Sequence, residues 1–361
     1  MKTEELKYWI WWNRVPGVGS SRFFKLLEEF GSMKDAWEAK SSTLRTLIGD
    51  KAVEGLAETK KWDPELEMAR ADQMVIRIIG FPDTDYPPPL KKIPDPPPIL
   101  YVRGGFEYGD DIAVAIVGTR NPTPQGVCIA RELAQQLSNQ GLTIISGMAR
   151  GIDSEAHTGA LEAGGRTVAV LGCGVDVVYP KENQWLLERI VAKGAVVSEF
   201  PLRTDPLAKN FPARNRIISG LSLGVVVVEA AEDSGSLITA GFALDQGREV
   251  FAVPGNINND FSKGPHKLIR QGARLIENYQ DILAELSIPQ LAEAELATAA
   301  DQNWSEEERK VLGVMSREPL HVDQIVRKCG LASAQLNSIL IQLELSGAVK
   351  RFPGQLYLKV K

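Results

Sequence analysis

Between residues 112 and 286, six short apolar runs recur at intervals of 25–30 residues: "IAVAIVG", "LTIIS", "TVAVLG", "AVVSE", "GVVVVEA" and "EVFAVPG". Segments of helical character such as "PQGVCIARELAQQLSNQG" separate them. The runs are rich in β-branched residues and do not alternate apolar with polar, so each must bury both of its faces. The pattern therefore predicts a mostly parallel sheet with helices on both sides, an extended Rossmann-like, doubly wound α/β domain.

The flanks read differently. Residues 1–75 predict helices with short breaks, a SAM-like or helix-hairpin-helix-like unit. In it a "PGVG" turn precedes an amphipathic segment with Phe23, Leu26, Leu27 and Phe30 on one face. That turn either offers backbone N–H groups to a phosphate or simply uses the freedom of glycine. Residues 81–104 hold eight prolines (82, 87, 88, 89, 94, 96, 97 and 98). Such density excludes helix or central strand and predicts an extended strap within a domain spanning 76–286. After an Ala/Glu-rich linker at 287–302, residues 303–361 predict three helices and a Pro-Gly hairpin, a winged helix. That unit carries nine basic against six acidic residues, and its third helix has Ser333, Gln335, Asn337 and Gln342 but no arginine. Reading duplex DNA usually calls for arginine on guanine, so a partner-binding role is favoured over duplex recognition.

Charge and cysteines exclude several function classes. With 41 Lys and Arg against 46 Asp and Glu, the chain is no polycation, and any nucleic acid must meet a local basic patch. Cys128, Cys173 and Cys329 lie far apart without ligand-spaced histidines, which argues against zinc and disulfides and for incidental thiols. No apolar run reaches membrane-spanning length, and the N-terminus lacks the features of a signal peptide, so a cytoplasmic protein is expected.

Ligands of open α/β sheets sit beyond the carboxyl ends of the strands, and the unusual residues cluster there. The first strand leads into Gly118-Thr119-Arg120, the second into Ser146-Gly147 and Gly151, the third into "GCGVDVVYPKEN", and a later one into Ser234-Gly235-Ser236. Small residues at helix starts expose N–H groups to anions, and several such turns on one edge predict a phosphate cradle. Enzyme templates fit poorly. No P-loop is present, and "GCGVDV" has Val177 where a dinucleotide fingerprint needs its third glycine, so no cofactor is expected. Asp153, Glu155 and His157 can be read as acid–base or metal groups. The favoured reading is plainer, with Asp153 complementing a helix dipole and His157 packed or paired. Over 203–216, Arg203, Lys209, Arg214 and Arg216 face only Asp205, with Phe211 among them. Cations beside an aromatic suit single-stranded nucleic acid; alternatively Phe211 anchors the core and the arginines pair with acids at strand ends.

The segments "VAIVGTRNPTPQG", "SGMARGIDSEAH", "TVAVLGCGVDVVYPKEN", "FPARNRIISGLS", "SGSLITAGFALDQGREVFAVPG" and "GPHKLIRQGARLI" together resemble the DNA-processing protein A family, DprA or Smf. That resemblance implies a homodimeric single-stranded-DNA-binding protein of bacterial transformation, which protects incoming DNA and loads the RecA recombinase onto it. It implies no catalytic residues, no cofactor and no metal. The DNA contacts it implies fall on Arg120, Lys181, Lys209 and Phe211, within a cradle formed by Gly118, Thr119, Ser146, Gly147, Gly151, Arg214, Asn215, Ser234, Gly235 and Ser236. The dimer contacts it implies fall on His266, Ile269 and Leu275, residues whose spacing also suits a helix packed on its own sheet. The rival reading is a nucleotide-processing enzyme of the phosphoribohydrolase-like α/β class, with Asp153 or Glu229 catalytic.

Overall fold

The computed structural model describes residues 3–107, 109–288, 304–315, 320–345, 348–352 and 355–359. Six helices come first: α1 (Thr3–Arg14), α2 (Ser20–Phe30), α3 (Met33–Glu38), α4 (Ser41–Ile48), α5 (Asp50–Thr59) and α6 (Pro64–Gln73). Trp9, Trp12, Phe23, Leu26 and Trp37 are buried among them. The "PGVG" turn between α1 and α2 serves this packing. Val15 and Val18 are buried, Gly17 has φ 85°, and its carbonyl accepts from Arg22 Nη1 at 2.6 Å. Glu67 of α6, 3% exposed, ties the helices to the sheet: it accepts from Tyr101 Oη at 2.8 Å and Leu202 N at 3.0 Å, and pairs with Arg14 at 2.9 Å.

The sheet begins with β1 (Ile76–Gly80) and β2 (Ile99–Gly104). The predicted runs then appear as β3 (Ala113–Val117), β4 (Thr143–Ser146), β5 (Thr167–Val170), β6 (Ala195–Ser198), β7 (Gly224–Val227) and β8 (Glu249–Ala252), followed by β9 (Arg274–Leu275). Strand order is β1-β2-β6-β5-β4-β3-β7-β8-β9, with β2 antiparallel to both of its neighbours, β1 and β6, and every other neighbouring pair parallel. Here the structure corrects the expectation for 81–104. The segment is no strap to its end, because β2 lies inside the sheet between β1 and β6. The last proline of this segment is Pro98, so from Ile99 to Gly104 every residue has an N–H for the ladder.

Connecting helices are α7 (Pro124–Asn139), α8 (Ile152–Glu162), α9 (Gln184–Lys193), α10 (Asn210–Gly220), α11 (Gly235–Asp245), α12 (Lys263–Arg270) and α13 (Tyr279–Glu285). Alternate strand residues divide between two cores, as a doubly wound sheet requires. Val114 and Ile116 pack with α7, α8 and α13, whereas Ala113, Ala115 and Val117 pack with α10, α11 and α12. The chain order reverses between β3 and β7, which sets the switch point where a ligand crevice belongs.

The terminal unit has α14 (Glu306–Val314), β10 (Leu320–His321), α15 (Val322–Cys329), α16 (Ser333–Leu345), β11 (Val349–Phe352) and β12 (Leu356–Lys359), around buried Val311, Ile325, Leu336, Leu340 and Tyr357. Three helices and a hairpin make the predicted winged helix. Most of the predicted linker and the Pro-Gly turn of the wing lie outside the described residues.

Candidate functional site

A crevice of about 500 Å3 opens at the switch point. Five chain segments line it: Gly118, Thr119 and Arg120 after β3; Ala149 and Asp153 around the start of α8; Tyr179 before α9; Phe211, Arg214 and Asn215 of α10; Ser234, Gly235 and Ser236 at the start of α11. The turns lie this close because glycines permit it. Gly151 has φ +76°, and a Cβ there would come within 2.5 Å of the Thr119 carbonyl oxygen.

One wall is aromatic. The half-buried Phe211 ring lies over Gly172, whose absent Cβ would be 3.0 Å from it, and 5.5 Å from the ring of Tyr179. Arg120 and Arg214 hold their guanidinium carbons 5.8 and 5.9 Å from the Phe211 centroid. Arg120 is exposed, while Arg214 is only 4% exposed. An aromatic ring beside two cations brings stacking area and positive potential together.

The floor holds a buried carboxyl beside a guanidinium. Arg214 donates to the Gly147 carbonyl at 2.8 Å and to the Val170 carbonyl, which fixes the ends of β4 and β5. Asp153 is buried beside it, and the backbone N–H of Ala149 approaches at 3.4 Å. Burial pushes the Asp153 carboxyl up to about 6, against the opposing pull of Arg214 and nearby backbone N–H groups. Burial also lowers the Arg214 guanidinium to about 10, leaving it charged at neutral pH.

The opposite wall is the N-terminus of α11. Ser234 caps it, accepting from Ser236 N at 3.3 Å, and Asn215 Nδ2 donates to the Gly235 carbonyl at 3.2 Å. Gly235 stands exposed with nothing within 4 Å of a Cβ, so a ligand can approach its backbone closely. A capped helix start with small side chains is well disposed to an anion.

The predicted residues divide accordingly. Gly118, Thr119, Arg120, Phe211, Arg214, Asn215, Ser234, Gly235 and Ser236 meet in the crevice, and Gly147 lines a side pocket continuous with it through Arg120 and Phe211. Ser146 does not reach the crevice: it is fully buried and its hydroxyl donates to the Ile116 carbonyl at 2.6 Å. Gly151 serves the turn. Lys181 is exposed just beyond Tyr179 and Pro180 of the side pocket, and Lys209 is exposed at the start of α10 but lines a neighbouring groove with Asp95 and Phe200. Arg216 is structural, paired with both Glu199 oxygens at 2.5 and 2.7 Å. Arg203 is exposed at φ 63°, its N–H on Asp176.

The candidate acid–base groups are largely committed. His157 is buried, bonded through Nδ1 to Thr167 Oγ1 at 2.6 Å, and burial lowers it to about 3. Glu155 pairs with Arg131 at 2.7 Å. Glu229 accepts from Thr123 N at 2.8 Å and Thr123 Oγ1 at 2.5 Å. Two contributors carry no mark in the sequence: Tyr179, though it stands in the quoted "VVYPKEN", and Asp153 as the counter-charge of Arg214. Nothing in a linear sequence signals a partnership between residues so far apart.

Of the dimer candidates, Leu275 is 49% exposed on β9, Ile269 packs partly against the core, and His266 Nε2 accepts from Gly255 N at 3.3 Å. Among the described residues, no helix is long and apolar enough to cross a membrane.

Comparison with known proteins places these features in company. A family model described as DNA recombination-mediator protein A matches residues 77–287, and one described as the DprA winged helix domain matches 295–355. Protein Smf of Synechocystis is 35% identical, over 99% of this chain and 99% of that protein. A crystal structure of DNA processing protein A from Streptococcus pneumoniae is similar with TM-score 0.69 and 38% identity, covering 77% of this chain and 97% of that one. The Helicobacter pylori DNA processing protein A, described for its single-stranded DNA binding mode, has TM-score 0.54 and 30% identity, covering 60% of this chain and 97% of that one.

Proposed function

The chain belongs to the DNA recombination-mediator protein A family, and from that premise we propose that its crevice binds single-stranded DNA without chemically altering it. The observation that carries this reading is Phe211, an aromatic ring with the Arg120 and Arg214 guanidinium carbons 5.8 and 5.9 Å from its centroid, lining a crevice beside the starts of α8 and α11. Stacking accepts any unpaired base, and cations and N–H groups take the backbone phosphates. Arg120 and Lys181 meet phosphates directly, and Lys209 extends the positive rim. Arg214, being buried, positions the strand ends and contributes potential.

Binding is favoured over turnover because the carboxylates that an enzyme would employ are occupied. Glu229 holds Thr123, and Asp153 sits against Arg214 beneath the turns. The protein acts as a cytoplasmic homodimer through the surface of His266, Ile269 and Leu275, protects incoming strands and hands them to the RecA recombinase. Gel shifts with single-stranded and duplex oligonucleotides, run beside a nucleotide-hydrolysis assay, test the proposal. Preference for single strands with no hydrolysis is expected. Equal affinity for both forms at physiological salt, or turnover of a nucleotide, would overturn it.

A further inference from the structure

Trp185 stands in an unusual place for the largest side chain in the repertoire. It lies on α9, whose inner face buries Leu186, Leu187 and Ile190, yet Trp185 itself is 49% exposed. Its indole N–H has no hydrogen-bond partner among the described residues. Burial of an indole normally contributes much to stability, so an indole left half in water is a candidate contact surface.

Its neighbours are ordered by helical spacing. Lys181 begins a single 3-10 turn (Lys181–Asn183) that runs directly into α9. Trp185 and Arg189, four residues apart on α9, share one face, and Lys181 precedes them in the chain. The Arg189 guanidinium carbon is 5.8 Å from the Trp185 ring centroid, and both Lys181 and Arg189 are exposed. Arg150, paired with Glu182, adjoins this group from the turn before α8. The group starts where the crevice ends, since Tyr179 and Pro180 line its side pocket with Arg120 and Phe211. One 3-10 turn separates Lys181 from the start of α9, so Trp185 is a short step, under about 8 Å along the axis, beyond Lys181.

We propose that Trp185, with Lys181 before it and Arg189 over its ring, is a second stacking platform for an unpaired base of the strand held in the crevice. The inference rests on the single-strand reading above and extends it, lengthening the site along α9. Exposed cations before and after Trp185 in the chain favour a polyanion over an apolar protein partner, and continuity with the crevice favours the same strand over a separate one.

The test measures affinities of oligothymidines of increasing length for the full chain and its Trp185→Ala, Trp185→Phe and Phe211→Ala variants, with folding checked by circular dichroism. Because Trp185 is half exposed, its variants should fold, and Trp185→Gln serves if the alanine form does not. Expected for Trp185→Ala is unchanged affinity for the shortest strands that bind, roughly tenfold weaker binding of longer ones, and an unaltered salt slope. Trp185→Phe should retain most of the affinity. Trp185→Ala binding like the unmodified protein at every length, while Phe211→Ala is weakened, overturns the platform and leaves the crevice reading intact. A loss of equal size on short and long strands also overturns it. Failure of Phe211→Ala to weaken binding counts against the crevice reading itself.

Discussion

Asp153 and Arg214 both fill the space that a side chain on residue 147 would need: a Cβ there would lie 2.7 Å from Asp153 Oδ2 and 2.7 Å from Arg214 Nη2. Gly147 thus lets a carboxylate and a guanidinium close under the turn after β4. Gly147→Ala should push the two apart and cost about 1–3 kcal/mol of stability, the usual penalty for overpacking a tight interior. Gly235→Ala is the control, since nothing lies within 4 Å of its added methyl. Thermal denaturation should show a lowered Tm for the first and an unchanged Tm for the second. Equal Tm values for the two variants would show that the pair can shift at no cost.

The same pair predicts a pH dependence. Burial raises the Asp153 carboxyl to about 6 in the folded protein, above its value of about 3.9 in an unfolded chain. Between those values the folded state holds a proton that the unfolded state has released. The resulting stability is therefore fully present below about pH 3.9 and lost as pH rises through about 6. Asp153→Asn should lack this slope, visible as a difference between the two denaturation curves across that window. Binding should follow with the same sign. Protonated Asp153 no longer offsets Arg214 and Arg120, so single-strand affinity should rise as pH falls through about 6 in the unmodified protein and stay flat in Asp153→Asn.

The central sheet is legible because burial on both faces leaves a mark in composition: all six runs are the strands β3 to β8. Strands β1 and β2 leave no such mark. "IRIIG" is short and carries Arg77, and "ILYVRG" sits directly behind a proline cluster whose influence ends at Pro98. The crevice is legible as a set of Gly-rich turns, because strand ends converge in any sheet of this kind. Which side chains face into it is not. Ser146 and Arg214 are both polar and both next to glycine or asparagine in sequence, yet one is spent on the Ile116 carbonyl and the other on strand-end carbonyls. Local charge counting likewise makes Arg216 look available, whereas Glu199 and Asp95 hold it from distant segments.

Stacking and charge should separate in a salt titration. Phe211→Ala removes the ring beside Arg120 and Arg214 and should weaken single-strand binding by roughly 1–3 kcal/mol while leaving the salt slope nearly unchanged, since stacking releases no counterions. Arg120→Ala should weaken binding and also lower the slope by about one unit or less, for the single phosphate it no longer neutralises. Lys181→Ala and Lys209→Ala should behave like Arg120→Ala. Because Phe211 packs on Gly172 and Tyr179, circular dichroism must accompany the measurement. An unfolded Phe211→Ala would make the ring a core anchor, and normal binding by all the folded variants would remove the crevice from the mechanism.

The dimer proposal turns on Leu275. It lies on β9, the outermost strand, which among the described residues pairs only with β8 and leaves its other edge open, and the side chain is half exposed. An open edge carrying an exposed leucine is a surface that proteins usually cover. Because Leu275 is not in the core of its own chain, Leu275→Arg should leave the fold intact, with unchanged circular dichroism. In a dimer contact the same change buries an unpaired charge, a cost of about 3–5 kcal/mol that an interface of ordinary size does not absorb. Light scattering should then report a dimer for the unmodified protein and a monomer for the variant. Single-strand affinity should fall as well, through reduced avidity and not through the crevice, so the drop should be larger on strands long enough to reach two sites. A variant that stays dimeric would place the interface on another face, with His266 left in its role of accepting from Gly255 N.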